Sequence, residues 1–161
     1  MKKLLIPSIF FVLLISFSFA QKPYKVVFYN LENFFDTIND PEVLDDEFTP
    51  DGPKKWNTAK YNKKLNNTER VLFDIAAIDK NYPIVIGVSE VETRGVLEDI
   101  VATPKLAPAN YRIAHFDSPE ARGVDVAFLY RPDVFKIEGQ YPVKTVIPSL
   151  PHFKTRDILT M

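Results

Sequence analysis

Residues Pro83–Glu92, PIVIGVSEVE, constrain the fold more than any other stretch of this chain. A β-branched run, Ile84–Val88 with one glycine inside it, stops at the acid Glu90. Apolar residues without polar alternation predict a strand covered on both faces, as in α/β sheets. Such a strand delivers Glu90 to the sheet's edge, where open α/β sheets hold their ligands. The rest of the sequence can be searched for partners to that carboxylate.

The chain offers one ahead of it. Tyr24–Asn30, YKVVFYN, is the first strand predicted beyond the leader, and it too ends on an oxygen-bearing side chain, Asn30. Turn-prone residues follow, and Asn39–Lys55 reads as a loop from its Pro, Gly and Asp content. Its acids Asp45, Asp46, Glu47 and Asp51 lack the alternating oxygen pattern of a calcium loop, so a solvated acidic loop is expected. Asn57 or Thr58 caps a predicted helix running to about Asp79, with Tyr61, Leu65, Leu72, Ile75 and Ala76 on its apolar face. Lys60, Lys63, Lys64 and Arg70 lie mostly opposite, as a solubilised surface or, alternatively, a phosphate-binding one.

Beyond Glu92, Thr93 caps a short helix carrying Val96, Leu97, Ile100 and Val101. Strands are then predicted over Tyr111–Phe116, Val124–Tyr130, Val134–Ile137 and Val143–Ile147, with another beginning in Phe153–Thr160. Strand–helix–strand–helix followed by consecutive strands predicts an α/β or α+β sandwich with a mixed sheet.

The first twenty residues form a separate unit. Lys2 and Lys3 precede the apolar run Leu4–Phe19, and Ala20 supplies a small residue before the polar QKPYK. This is the pattern of a cleavable secretory peptide spanning 1–20, which leaves 21–161 as one domain and a secreted or periplasmic product. An uncleaved anchor is the rival reading, because the run nears membrane-spanning length. Without residues 1–20 the chain carries 18 basic residues (20 less Lys2 and Lys3) against 21 acidic ones, a net charge of −3. That excludes a polybasic protein holding nucleic acid by bulk charge; contact with a phosphodiester must come from a local site. With no cysteine there is neither disulfide bracing nor thiolate zinc chemistry.

One amide and one carboxylate at neighbouring strand ends can form half of a magnesium site, since Mg²⁺ takes one or two carboxylates and completes its octahedron with water and phosphate. Spacing alone leaves the plainer alternative open, in which Asn30 forms a turn and Glu90 is solvated. Other chemistries find no support: GxSxG, Walker A and HExxH motifs are absent. Of the two histidines, His115 sits mid-strand as a structural residue, and His152 has no identifiable acid partner.

Five segments in order carry a resemblance: FYNLENFFDT at Phe28–Thr37, EFTPDG with Trp56, VIGVSEVE at Val85–Glu92, DSPEARGVDVAFLYRPDVF at Asp117–Phe135, and TRDIL at Thr155–Leu159. Together they resemble the secreted bacterial branch of the endonuclease/exonuclease/phosphatase superfamily, with its deoxyribonuclease I-like fold. The resemblance implies a four-layer α/β/β/α sandwich and Mg²⁺- or Mn²⁺-dependent phosphoester hydrolysis. Nucleic acid is the leading substrate. Asn30 and Glu90 match the family's catalytic, metal-side positions. Arg122 falls in a segment near the substrate groove and is expected either to contact a phosphate or to be a turn residue ahead of a strand. Arg156 is expected either to contact a phosphate or to sit on a strand surface, and Glu92 either to position Glu90 or to face solvent. The family's later GD-x-N and SDH segments, which orient the attacking water, do not occur in these residues. The sequence therefore resembles the N-terminal part of the domain, and the segment by itself is expected to be inactive and aggregation-prone. A non-catalytic extracellular binding module keeping the sandwich is the alternative.

Overall fold

The computed structural model describes residues 23–161; the predicted leader, 1–20, lies outside them. The elements run β1 (Val26–Phe34), α1 (Thr58–Ala77), β2 (Val85–Val91), α2 (Arg94–Ala102), β3 (Arg112–His115), β4 (Asp125–Tyr130), β5 (Tyr141–Val143) and β6 (Ile158–Thr160). The first four strands form a mixed sheet in the order β1-β2-β4-β3, with β1 parallel to β2 and the other two pairings antiparallel. The run that opened the sequence is thus a central strand, which is why it lacks polar alternation.

One face of this sheet is sealed by α1, α2 and the segment after α2. Ile86 and Val88 of β2 and Ala127 and Leu129 of β4 meet Leu72 of α1, Val96, Leu97 and Ile100 of α2, and Leu106 in one buried cluster. Both helices begin as predicted. The Asn57 side chain accepts from the Lys60 N–H, and the Thr93 side chain accepts from the Val96 N–H. The Tyr111 hydroxyl, taken into this core, donates to the Pro83 carbonyl at 2.7 Å, satisfying a group that burial would otherwise leave costly.

The other face carries Val26, Phe28 and Asn30 of β1, Gly87 of β2, and Val126, Phe128 and Tyr130 of β4, as the register requires. Gly87 is a point of close approach: a Cβ there would come within 3.0 Å of the Phe28 ring and 3.4 Å of the Phe128 ring. β5 and β6 form a separate two-stranded sheet. Its Ile158 and Leu159 line a shared cavity with Phe28, Gly87 and Phe128, and so lie over this second face. A helical layer, a four-stranded sheet and a small second sheet are the layers present among the described residues, consistent with a sandwich of the expected α/β kind.

Several local expectations need correction. β1 does not end at Asn30 but continues through an irregular stretch to Phe34. Residues 134–137 form a turn and its exit rather than a strand. The next strand is Tyr141–Val143, and residues 144–147 lie outside it. Short β-branched stretches flanked by prolines satisfy the strand pattern, but a strand also needs a partner edge, and these have none in the described residues.

The 39–55 loop is ordered. Asp45 is buried and accepts from the Asp40 N–H at 2.9 Å. Phe48, in a 3-10 turn over Asp46–Phe48, stacks on Phe35 with ring centres 4.0 Å apart. The Trp56 indole donates to the Phe35 carbonyl at 3.0 Å. The aromatic residues spaced through the loop and the buried Asp45 together set its conformation.

Candidate active site

The site forms where the β1–β2–β4 ladder breaks. Asn30 pairs with Ser89 and Phe34 with Val91, so Leu31, Glu32 and Asn33 of β1 face Glu90 alone. Against β4, Ser89 pairs with Val126 and Val91 with Asp125, which makes Glu90 the extra residue of a bulge on that side too. Bulges of this kind re-aim a side chain that regular pleating would fix. The backbone bears the cost: Glu32, Asn33 and Glu90 have φ of 55°, 59° and 61°. Each non-glycine residue in the left-handed region costs on the order of 1–3 kcal/mol, and such strain concentrates at functional sites.

Hydrogen bonds hold this geometry. The Asn33 N–H donates to Glu90 Oε2 at 3.1 Å. The Asn30 side-chain oxygen accepts from the Glu32 N–H at 2.7 Å, closing an Asx turn. From α1, the Lys64 ammonium donates to the Glu32 carbonyl at 2.6 Å and lies 5.5 Å and 5.7 Å from the ring centres of Phe34 and Trp56. Burial lowers the Lys64 pKa, opposed by the charges of Glu32 and Glu90. Lys64 is therefore a structural clamp on the bulge, not part of a merely solubilising surface. Glu32 lies 32 residues before Lys64 and Phe34 is almost as far, so only the fold could show this.

The four residues singled out from sequence gather around this bulge to different degrees. Arg156, on the segment leading into β6, places Nη1 3.8 Å from Glu90 Oε1. Arg122 reaches the site through an intermediary: its Nη1 donates to Asn33 Oδ1 at 3.0 Å. Asn30 and Glu90 stand on adjacent strands one register step apart, and no hydrogen bond joins their side chains among the described residues. Asn33 is the residue sequence reasoning missed. Its backbone serves Glu90 while its side chain serves Arg122, and the sequence signal for it is the turn-prone Glu32-Asn33 pair set between apolar residues.

Glu92 neither touches Glu90 nor faces solvent. It is 93% buried (7% exposed) and accepts from the Asp36 N–H at 2.6 Å. Burial pushes its pKa up to about 8; the Asp36 N–H bond opposes the rise, and the Asp36 and Asp45 carboxylates add to it. Two strand positions beyond Glu90, it anchors the start of the 36–57 loop.

The donor set at the bulge suits a hard cation. Asn30 Oδ1 and the Glu90 carboxylate each accept one backbone N–H and keep a lone pair for a further partner. An amide and a carboxylate oxygen are donors that Mg²⁺ and Mn²⁺ accept alongside water. A second cluster, His115, Asp117 and Asp125, brings three ligand atoms within 4.8 Å of one another. His115 and Asp125 side chains are each 97% buried (3% exposed), and His115 Nε2 lies 3.2 Å from Asp125 Oδ2. That contact gives each of the two buried groups a partner. Asp125 also accepts from the Ser118 N–H at 2.8 Å, tying down the loop that carries Arg122.

Residues 25–161 match the family model described as endonuclease/exonuclease/phosphatase family. The chain belongs to the endonuclease/exonuclease/phosphatase family. No match was found among curated proteins or among solved structures. Family membership supports a phosphoesterase or nuclease type of function, and members generally depend on a divalent metal.

Proposed function

We propose that this protein is an exported, divalent-metal-dependent phosphodiesterase of the endonuclease type, acting on nucleic acid. One observation carries the reading: the bulge that displaces Glu90 from the ladder also brings Arg156 against it and, through Asn33, Arg122. Two guanidinium groups beside a strained carboxylate suit a substrate bearing phosphate oxygens.

In this reading Glu90 and Asn30 would hold one Mg²⁺ or Mn²⁺. The cation would stabilise negative charge developing on the phosphoryl oxygens. The Asn33 N–H fixes Glu90 Oε2, and Oε1, which lies 3.8 Å from Arg156 Nη1, would be the carboxylate oxygen offered to the cation. Arg156, beside Glu90, and Arg122, held at Asn33, would pair with substrate oxygens and set the phosphorus in line. The near-neutral chain makes affinity depend on this local constellation rather than on overall charge. Export rests on the Lys2–Ala20 leader pattern.

The test is Glu90→Ala in the full natural chain, assayed on double-stranded DNA and on bis-p-nitrophenyl phosphate with Mg²⁺ or Mn²⁺. Hydrolysis should fall by roughly 10²–10³-fold, the scale of losing one preorganised electrostatic group, while the circular dichroism spectrum stays unchanged. Full activity in the variant at saturating metal would remove Glu90 from the site. Nucleic-acid binding without any hydrolysis by the wild type would favour a non-catalytic module.

A further inference from the structure

Arg122 is held at two points. Its Nε donates to Glu120 Oε1 at 3.0 Å and its Nη1 to Asn33 Oδ1 at 3.0 Å. Among the described residues Nη2 has no hydrogen-bond acceptor, and the Arg122 side chain is 43% exposed against 14% for Glu120. The same Glu120 carboxylate closes its own loop, accepting from the Arg122 N–H at 2.8 Å and the Val124 N–H at 3.5 Å. Burial works against the charge on Glu120, yet the hydrogen bonds and charge of Arg122 outweigh it and hold the carboxyl below its usual pKa. The opposite side of the loop is fixed by the Leu44 N–H donating to the Ala121 carbonyl at 2.8 Å.

A guanidinium fastened at Nε and at one Nη has its plane set, which fixes where the two N–H groups of Nη2 lie. A free arginine would lose side-chain entropy on gripping an anion; one already fastened loses less. We propose that Glu120 is a positioning residue which, together with Asn33, orients Arg122 to present Nη2 to a phosphate oxygen of the substrate. This rests on the reading of Arg122 as a substrate contact. Glu120 itself touches no substrate; it acts through Arg122.

The experiment is a double-mutant cycle in the full natural chain, with inorganic phosphate as the probe and its affinity measured by isothermal titration calorimetry. Glu120→Gln keeps an oxygen for the backbone N–H groups and puts an amide NH₂ where Arg122 Nε needs an acceptor, so the loop should stay folded. Arg122→Ala and Glu120→Gln should each weaken phosphate binding by roughly tenfold, the scale of a charge-assisted hydrogen bond. The double variant should be no weaker than Arg122→Ala, and melting temperatures should stay close to wild type. If Glu120→Gln binds phosphate like wild type, or its effect adds fully to that of Arg122→Ala, the positioning role is wrong although Arg122 remains a contact. If Arg122→Ala itself leaves phosphate binding unchanged, or the wild type binds none, the reading of Arg122 fails and the positioning role with it.

Discussion

The two faces of the four-stranded sheet are both rich in large apolar side chains, yet they differ sharply in cover. Against the helices, Ile86 and Leu129 are fully buried. On the opposite face, Val26 and Phe28 are 69% and 71% exposed, and among the described residues only the β5–β6 pair lies over part of it. Strand alternation supplies apolar groups to both sides with equal ease, while cover comes from elements far along the chain. The candidate site lies at the end of this sheet, where β1 and β2 fall out of register. Its strain is carried by the sealed side, because Lys64 reaches up from α1 to grip the Glu32 carbonyl while Leu31 and Phe34 lock into the core on either side of Glu32 and Asn33.

The sharpest way to break this contrast is to cut into each face in turn. Leu97→Ala, on the sealed face, should cost about 2–5 kcal/mol of unfolding free energy in urea titration, as a fully buried leucine does. A loss below about 1 kcal/mol would mean that the helix layer is not the core. Phe28→Ser, on the open face, should change stability by no more than about 0.5 kcal/mol, because the ring is already mostly in water. It should also lower binding of a hydrophobic dye and slow aggregation, since exposed apolar patches promote both. A large stability loss from Phe28→Ser would show that this face is covered in solution.

The smallest effect concerns pH at the rim. Glu120 has a folded pKa below its ordinary 4.5. Its contribution is therefore fully present above pH 4.5 and lost as pH falls through the lower folded value. Thermal melts from pH 6 down to pH 3 should show a shallower decline for Glu120→Gln than for wild type. Parallel curves would mean that the Arg122 pairing adds nothing to stability.

Much of this was legible in the chain. Ile84–Val88 announced a central strand, Asn57 and Thr93 announced the helix starts, and Glu90 stood at the strand end as the pattern required. What could not be seen were the contacts between segments distant in sequence. Val124–Tyr130 shows the limit: its alternation puts Val126, Phe128 and Tyr130 on one face and Ala127 and Leu129 on the other, and it is the latter pair that faces the helices. Alternation reveals that a strand has two faces without saying which of them gains a covering layer.

The amino-acid sequence by itself determined both helices with their caps, the central strand β2 with Glu90 near its end, the strand β4, and the absence of bulk charge for holding nucleic acid. These follow from local periodicity, capping and composition, which act over a few residues. Tertiary structure alone decided that Glu90 bulges out of two ladders, that Asn33 links it to Arg122, and that Glu92 is buried at the root of a loop. Register between strands and burial of polar groups are set by the packing of whole layers. No local pattern around Glu90 or Glu92 contains that information.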